Sequence, residues 1–179
     1  MTLQKLFFCL LICCLTGCGF HLRTHALTLS PALHSPWIAT AEPYSPLTHS
    51  LASALRRSGA TPVDEADKAS AIIAILSERE TESLLSVSST QSSRQYNLTL
   101  SVQYEIRNRE GAPLTGPQVA TESRTLTMAS DQILSSSNEV TILYQRMRQA
   151  VVRDIMARLA SPEISAILAE SKKHTGRKP

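Results

Sequence analysis

Cysteine is confined to the start of the chain: Cys9, Cys13, Cys14 and Cys18 are the only four in 179 residues. Nothing after residue 18 can therefore form an intrachain disulfide or a Cys-based metal site. The body must be held by an apolar core, and a hydrophobic content of 42% in a chain this long is enough to build one. Aromatics are scarce, with Trp37 the single tryptophan. Excess charge of either sign is also small, with 18 basic against 15 acidic side chains. Four of the basic residues, Lys172, Lys173, Arg177 and Lys178, crowd the C-terminal tail, so the body is close to neutral. A basic face with interleaved aromatics is missing, and no nucleic-acid partner is expected. There is no Gly-rich phosphate loop, no G-x-S-x-G nucleophile motif and no internal repeat. The apolar run from Leu6 to Leu15 is too short for a transmembrane helix, which needs roughly 20 such residues.

What that run does fit is a secretory signal. Lys5 precedes it, and Leu15-Thr16-Gly17-Cys18 closes it with small residues where a cut falls. These residues resemble the lipobox of bacterial lipoproteins. The resemblance implies a signal peptide at residues 1–17, cleavage before Cys18, and acylation of the Cys18 sulfur and its new amine. Several acyl chains, at about 0.8 kcal/mol per buried CH₂, anchor a protein stably. Gly19 follows the cysteine. In lipoproteins generally, Asp there favours the inner membrane, so Gly19 points to the outer one.

Residues 18–35 read as a lipidated tether. Residues 36–41, with Trp37 and Ile38, read as a short first strand bounded by proline. Ser45 then suits a helix N-cap and Pro46 the first helical position. Leu47, Leu51, Ala54 and Leu55 make one apolar stripe, Arg56 and Arg57 fall in the last turn, and Gly59 supplies the stop.

Residues 71–76 are a continuous apolar run, as in a strand covered on both faces. The strand continues into Glu78, Glu80 and Glu82, which share one face. That face must be solvated or paired with cations. Paired carboxylates for acid–base work are not expected there, because nothing supplies a pocket. Residues 86–93 read as a serine-rich turn. From Arg94 to Asn108 alternation is unbroken. Tyr96, Leu98, Leu100, Val102, Tyr104 and Ile106 line one face; Asn97, Thr99, Ser101, Gln103, Glu105 and Arg107 line the other. Most of the polar face is uncharged, which makes it a candidate packing or ligand surface; a hydrated face is the simpler reading.

Turn residues at 110–117 lead to a Thr-rich strand over 118–128. Ser136 to Glu139 fits a capping box, and Val140, Tyr144, Met147, Val151, Ile155 and Leu159 form the stripe of a long helix. Arg146, Arg148, Arg153 and Arg158 lie mainly off that stripe. Pro162 ends or kinks the helix, residues 164–168 have the pattern for another turn, and a disordered basic tail is expected from 163 to 179. The expected fold is α+β, two helices packed on one face of a mixed four-stranded sheet, with the domain spanning residues 36–162. His21 and His25 are four apart but lack Cys or acidic partners and a helical stripe, so no metal site and no cofactor is expected.

Cys18-Gly19-Phe20-His21-Leu22-Arg23 resembles the start of the mature chain in LptE, the lipopolysaccharide-assembly lipoprotein family. Glu42-Pro43-Tyr44-Ser45-Pro46-Leu47 is similar to that family's opening of its first helix. Arg56-Arg57-Ser58-Gly59, the strand opening at Tyr96 and the Asn138-Glu139 pair match in order. The resemblance implies a non-enzymatic outer-membrane lipoprotein that plugs the β-barrel LptD, assists its assembly and contacts lipopolysaccharide. The family's basic contact positions precede the Tyr-opening strand and the last helix. Here those places hold serine, at 86–93 and 135–137, which leaves Arg94 and Arg124 as the nearest candidates. Two other readings remain: a periplasmic accessory lipoprotein of an inner-membrane lipid transporter, and a lipid-anchored hydrolase.

Overall fold

A computed structural model describes residues 29–90, 92–129 and 138–175. The elements in chain order are β1 (Pro36–Ala39), α1 (Pro46–Arg57), β2 (Ala71–Val87), β3 (Ser93–Arg107), β4 (Gln118–Ala129), α2 (Asn138–Leu159) and α3 (Pro162–Thr175). The sheet order follows the sequence, β1-β2-β3-β4. β1 runs parallel to β2, and β2, β3 and β4 form an antiparallel meander. The α+β class and the mixed four-stranded sheet are as the sequence indicates.

α1 forms where its punctuation predicts. The Ser45 hydroxyl accepts the Thr48 amide at 3.1 Å, Pro46 opens the helix, and Gly59 leaves it with φ of 86°. Leu47, Leu51 and Leu55 are fully buried. α2 packs on α1 and on β3 and β4, burying its whole predicted stripe together with Val152 and Met156. The capping box at Ser136 lies outside the described residues.

The core is the face of β3 that carries Leu98, Leu100, Val102, Tyr104 and Ile106, all at 2% exposure or less. Cross-strand partners share that face: Ile73 and Ile75 from β2, then Ala120 and Leu126 from β4. This is the alternation legible in the sequence, now covered by helices.

Two expectations need correction. The C-terminal segment is not a disordered tail from residue 163; α3 continues to Thr175, making three helices among the described residues. The reason is burial: Ile164 and Leu168, one turn apart, are each 2% exposed in the core cluster, and the Ser161 hydroxyl accepts the Ile164 amide at 3.3 Å. A proline at the first helical turn starts a helix here as well as ending one. Residues 176–179 lie outside the described set. The second correction concerns the N-terminal side. The tether was drawn to residue 35, yet Leu29 and Leu33 are core residues, with residues 31–33 in a 3₁₀ turn.

β2 carries two bulges. Ile75 pairs with Tyr104 and Ser77 with Gln103, so Leu76 is an extra residue; Leu85 is another, between Leu84 and Ser86. Each extra residue flips the alternation after it. The first bulge puts Glu78, Glu80 and Glu82 opposite Val102, Leu100 and Leu98, on the helix-covered face. Leu76 and Leu85 are left exposed.

Candidate functional site

The polar side of the sheet is a surface built by register alone. Asn97, Thr99, Ser101 and Gln103 sit at the centre, flanked on β2 by Ser83, Thr81, Arg79 and Ser77 and on β4 by Thr125, Ser123, Thr121 and Val119. Hydroxyls pair across the strands: Thr99 with Ser123 at 3.0 Å and Ser101 with Thr121 at 3.1 Å. The Asn97 amide donates to the Thr99 hydroxyl at 3.3 Å. Such pairs hold side chains flat and satisfied without ionic charge. Arg79 is the single charge among these twelve positions. Beyond them, Arg107 pairs with Glu105 at 2.5 Å, and Glu105 is buried. The helices pack on the opposite face, so this one stays open.

On the covered face, the predicted carboxylate row meets a cation. Arg148 of α2 lies one residue past the buried Met147 and donates from Nε to Glu78 at 3.2 Å; its Nη2 donates to Glu80. Its guanidinium carbon stands 6.0 Å from the centre of the Tyr144 ring, within cation–π range. Burial raises the Glu78 pKa from its ordinary value, and Arg148 partly offsets this. The Tyr144 hydroxyl is buried without a hydrogen-bond partner among the described residues. Burial, with the Glu82 and Glu80 carboxylates adding to it, pushes its pKa up to about 12. This is a structural ion cluster: it fixes α2 over β2 where apolar packing gives out.

The end of the β2–β3 hairpin is a self-contained turn. The Ser88 hydroxyl accepts the amides of Ser92 and Ser93 at 3.0 and 3.1 Å. Leu84, Leu85 and Val87 stand exposed beside it. Leu85 is the extra residue of the second bulge, which the sequence does not show, whereas Leu84 and Val87 lie opposite Tyr96 and Arg94 on the helix side of the sheet.

The two candidate arginines are not brought together. Arg94 is the second residue of β3, opposite Val87 and Met128, and is exposed. Arg124 lies opposite Leu98, four residues further along, or roughly 13 Å at strand rise. Arg124 is also committed to Glu122, with an Nη2 to Oε1 distance of 2.5 Å. Cys18, His21 and His25 lie outside the described residues. Among those described, no three His, Cys, Asp or Glu side chains converge as metal ligands, and no helix is long and apolar enough to cross a membrane.

This chain is a small α+β body, a mixed four-stranded sheet backed by helices on one side, with a polar face on the other. Its fold matches that of an uncharacterized lipoprotein B from Nitrosomonas europaea with a TM-score of 0.67, at 24% identity over 85% of this chain and 96% of that one. A minor lipoprotein from Acinetobacter baumannii gives 0.60 at 16% identity, over 72% and 91% of the two chains. The rare lipoprotein B of Shewanella oneidensis gives 0.57 at 21%, over 74% and 98%. In sequence, residues 37–159 match the family model described as LptE, lipopolysaccharide-assembly. The LPS-assembly lipoproteins LptE of Pectobacterium atrosepticum and Photorhabdus laumondii are 29% and 26% identical over 145 and 144 residues, covering 80% of this chain and 77% of each of theirs. The chain belongs to the LptE family of lipopolysaccharide-assembly lipoproteins.

Proposed function

We propose that this protein is a non-catalytic plug: an outer-membrane lipoprotein seated in an LptD-like β-barrel, where it assists barrel assembly and lipopolysaccharide transport to the cell surface. The observation that carries the reading is the open sheet face, an array of hydroxyls and amides with hardly any charge. The inside of a large outer-membrane barrel is polar and hydrated. A charged face there would have to be matched ion by ion or lose hydration on docking, whereas hydroxyls and amides exchange water for polar wall groups at little cost. The resemblance to the family supplies the barrel as partner and the outer membrane as place.

In this reading residues 1–17 are removed and Cys18 carries the acyl chains that tether the body on the periplasmic side. Lipopolysaccharide presents phosphates, and Arg94, exposed at the start of β3, is the better of the two contact candidates. Arg124 already satisfies a carboxylate, so its charge is largely spent. The test is recovery of a tagged chain from membranes in mild detergent, with identification of what accompanies it. A large outer-membrane β-barrel in near-equal amount supports the plug. Inner-membrane transporter subunits in its place would move the protein to the periplasmic accessory reading.

A further inference from the structure

The helical layer holds a groove that the plug reading does not use. It lies between α1 and α2 with a volume of about 420 Å³. Small residues create it: Ser50, Ser53 and Ala54 on α1 leave space above Val152 and Met156 of α2, which form an apolar floor at 4% and 2% exposure. Arg57 from α1 and Arg153 from α2 stand at its rim, with Ser58 and Gln149 beside them. Ser50, Ser53 and Arg57 step by three and four, so they share one helix face, as do Gln149, Arg153 and Met156 on α2.

The arginines of this groove are not spent on ion pairs, unlike four arginines elsewhere in the fold. Arg107, Arg124, Arg148 and Arg158 each pair with a carboxylate. Arg57 and Arg153 have no ion-pair partner among the described residues, and no carboxylate among those residues lines the groove. Two guanidinium groups flanked by hydroxyls over an apolar floor offer planar N–H forks for a phosphate, polar partners for its oxygens, and a dry surface for whatever carries it.

We propose that the α1–α2 groove is a binding site for a phosphate monoester carried on a small organic body, with Arg57 and Arg153 clamping the phosphate. Ser50, Ser53 and Gln149 contact the body of the ligand, which is a phosphorylated saccharide or a glycerophosphate headgroup. The site is independent of the barrel: loss of phosphate binding leaves co-purification with a barrel unchanged, and loss of the barrel leaves the groove intact.

The test is a titration of the acylated full chain in non-ionic detergent, following the arginine Nε–H signals by NMR at constant ionic strength. Signals of Arg57 and Arg153 are identified by their loss in Arg57→Gln and Arg153→Gln. Inorganic phosphate, glucosamine 1-phosphate and glycerol 3-phosphate are the probes. We expect saturable shifts of both arginines, with half-saturation near ~1 mM for the organic phosphates. Each single substitution weakens binding about tenfold, the loss of one charged hydrogen bond. Arg56→Gln, in the same turn but outside the groove, leaves it unchanged. Tighter binding of the sugar phosphate identifies a saccharide ligand, and tighter binding of glycerol phosphate identifies a lipid headgroup; either supports the site. Linear shifts equal to those from added chloride, or saturable shifts at other arginines only, would overturn it without reference to any variant.

Discussion

Arg148 reaches from the long helix across to Glu78 on β2, with Nε and Oε1 3.2 Å apart and both side chains less than a quarter exposed. The contact joins residues seventy positions apart. It exists because a single extra residue, Leu76, turns the Glu78 carboxylate from the open side of the sheet to the side the helix covers. An acidic strand segment thus becomes an ion-pair seam at the edge of the core.

Replacing Arg148 by Met leaves Glu78 and Glu80 facing α2 without their cation. Breaking a fully buried pair costs about 3–5 kcal/mol; partial solvation of Glu80 brings the expected loss to roughly 1–2 kcal/mol at neutral pH. The sign with pH follows from burial. Glu78 has a raised pKa, so the folded state prefers its protonated form, and its contribution to stability falls as pH rises through that pKa. Without Arg148 the fall is steeper. Urea unfolding across pH 4 to 8 should therefore show the wild-type and R148M curves converging in acid and separating toward neutral. A constant gap would assign the loss to packing of the Arg148 stem instead.

Tyr144 has a buried hydroxyl without a partner among the described residues, next to carboxylates that gain nothing from it. Tyr144→Phe removes a polar group that folding desolvates, so the variant should be as stable as the wild type or up to about 1 kcal/mol more stable. Because the folded pKa is raised to about 12, Tyr144 contributes stability that is present below the ordinary tyrosine pKa of 10.0 and lost as pH climbs through 12. Spectrophotometric titration should show a late phenolate step in the wild type that loses amplitude in Y144F, the remainder belonging to Tyr104, whose pKa burial also raises. Loss of more than 2 kcal/mol on substitution would mean that a bound water satisfies the hydroxyl.

Periodicity made α1, the hydrophobic face of β3 and the stripe of α2 legible, because in each the burial pattern repeats at the local geometric period. The two bulges were not legible, since an inserted residue shifts parity without leaving a composition mark. The sequence pattern therefore demanded a cation or solvent for Glu78, Glu80 and Glu82 but did not name Arg148, which sits one position off the apolar stripe. The polar face was legible as a row on β3. Its width across Thr81, Thr99 and Ser123 became visible only with register. The arginine groove was hidden for a different reason: it depends on small residues of one helix lying over apolar residues of another, a relation between segments about a hundred positions apart.

α3 provides a direct check on the C-terminal segment. A disordered tail tolerates Leu168→Ala with a change inside about 0.5 kcal/mol. A leucine 2% exposed in the core cluster does not, and the expected loss is about 2–4 kcal/mol. Ser171→Ala, less buried on the same helix, serves as the comparison and should cost about 1 kcal/mol or less. Chemical denaturation of the three proteins measures this.

Cys18→Ala tests the anchor. If Cys18 carries the lipid, the variant should keep the fold and its unfolding midpoint while leaving the membrane fraction for the soluble one. The body is stabilised by its core and not by the acyl chains, so circular dichroism and urea midpoint should be unchanged. A variant that stays in the membrane fraction with residues 1–17 removed would show that contacts with a partner, and not the lipid, retain the protein there.

The open face yields the sharpest separation of fold from function. Thr99 is at its centre, its hydroxyl shared with Ser123 and its backbone paired on both sides. Thr99→Lys replaces one weak hydroxyl pair with a charge that, in the free protein, extends into water. Stability should change by no more than about 1 kcal/mol. If this face docks closely against a polar barrel wall, as proposed, the same lysine must be desolvated without a prepared partner, which costs several kcal/mol. Recovery of the barrel with tagged protein should then drop at least tenfold while the midpoint of unfolding stays near wild type. Thr141→Lys, which puts an equal charge on an exposed position of α2, controls for charge itself and should leave recovery intact. If Thr99→Lys recovers the barrel as well as the wild type does, the sheet face is not the docking surface, and the exposed residues Leu84, Leu85 and Val87 beside the hairpin turn become the place to look.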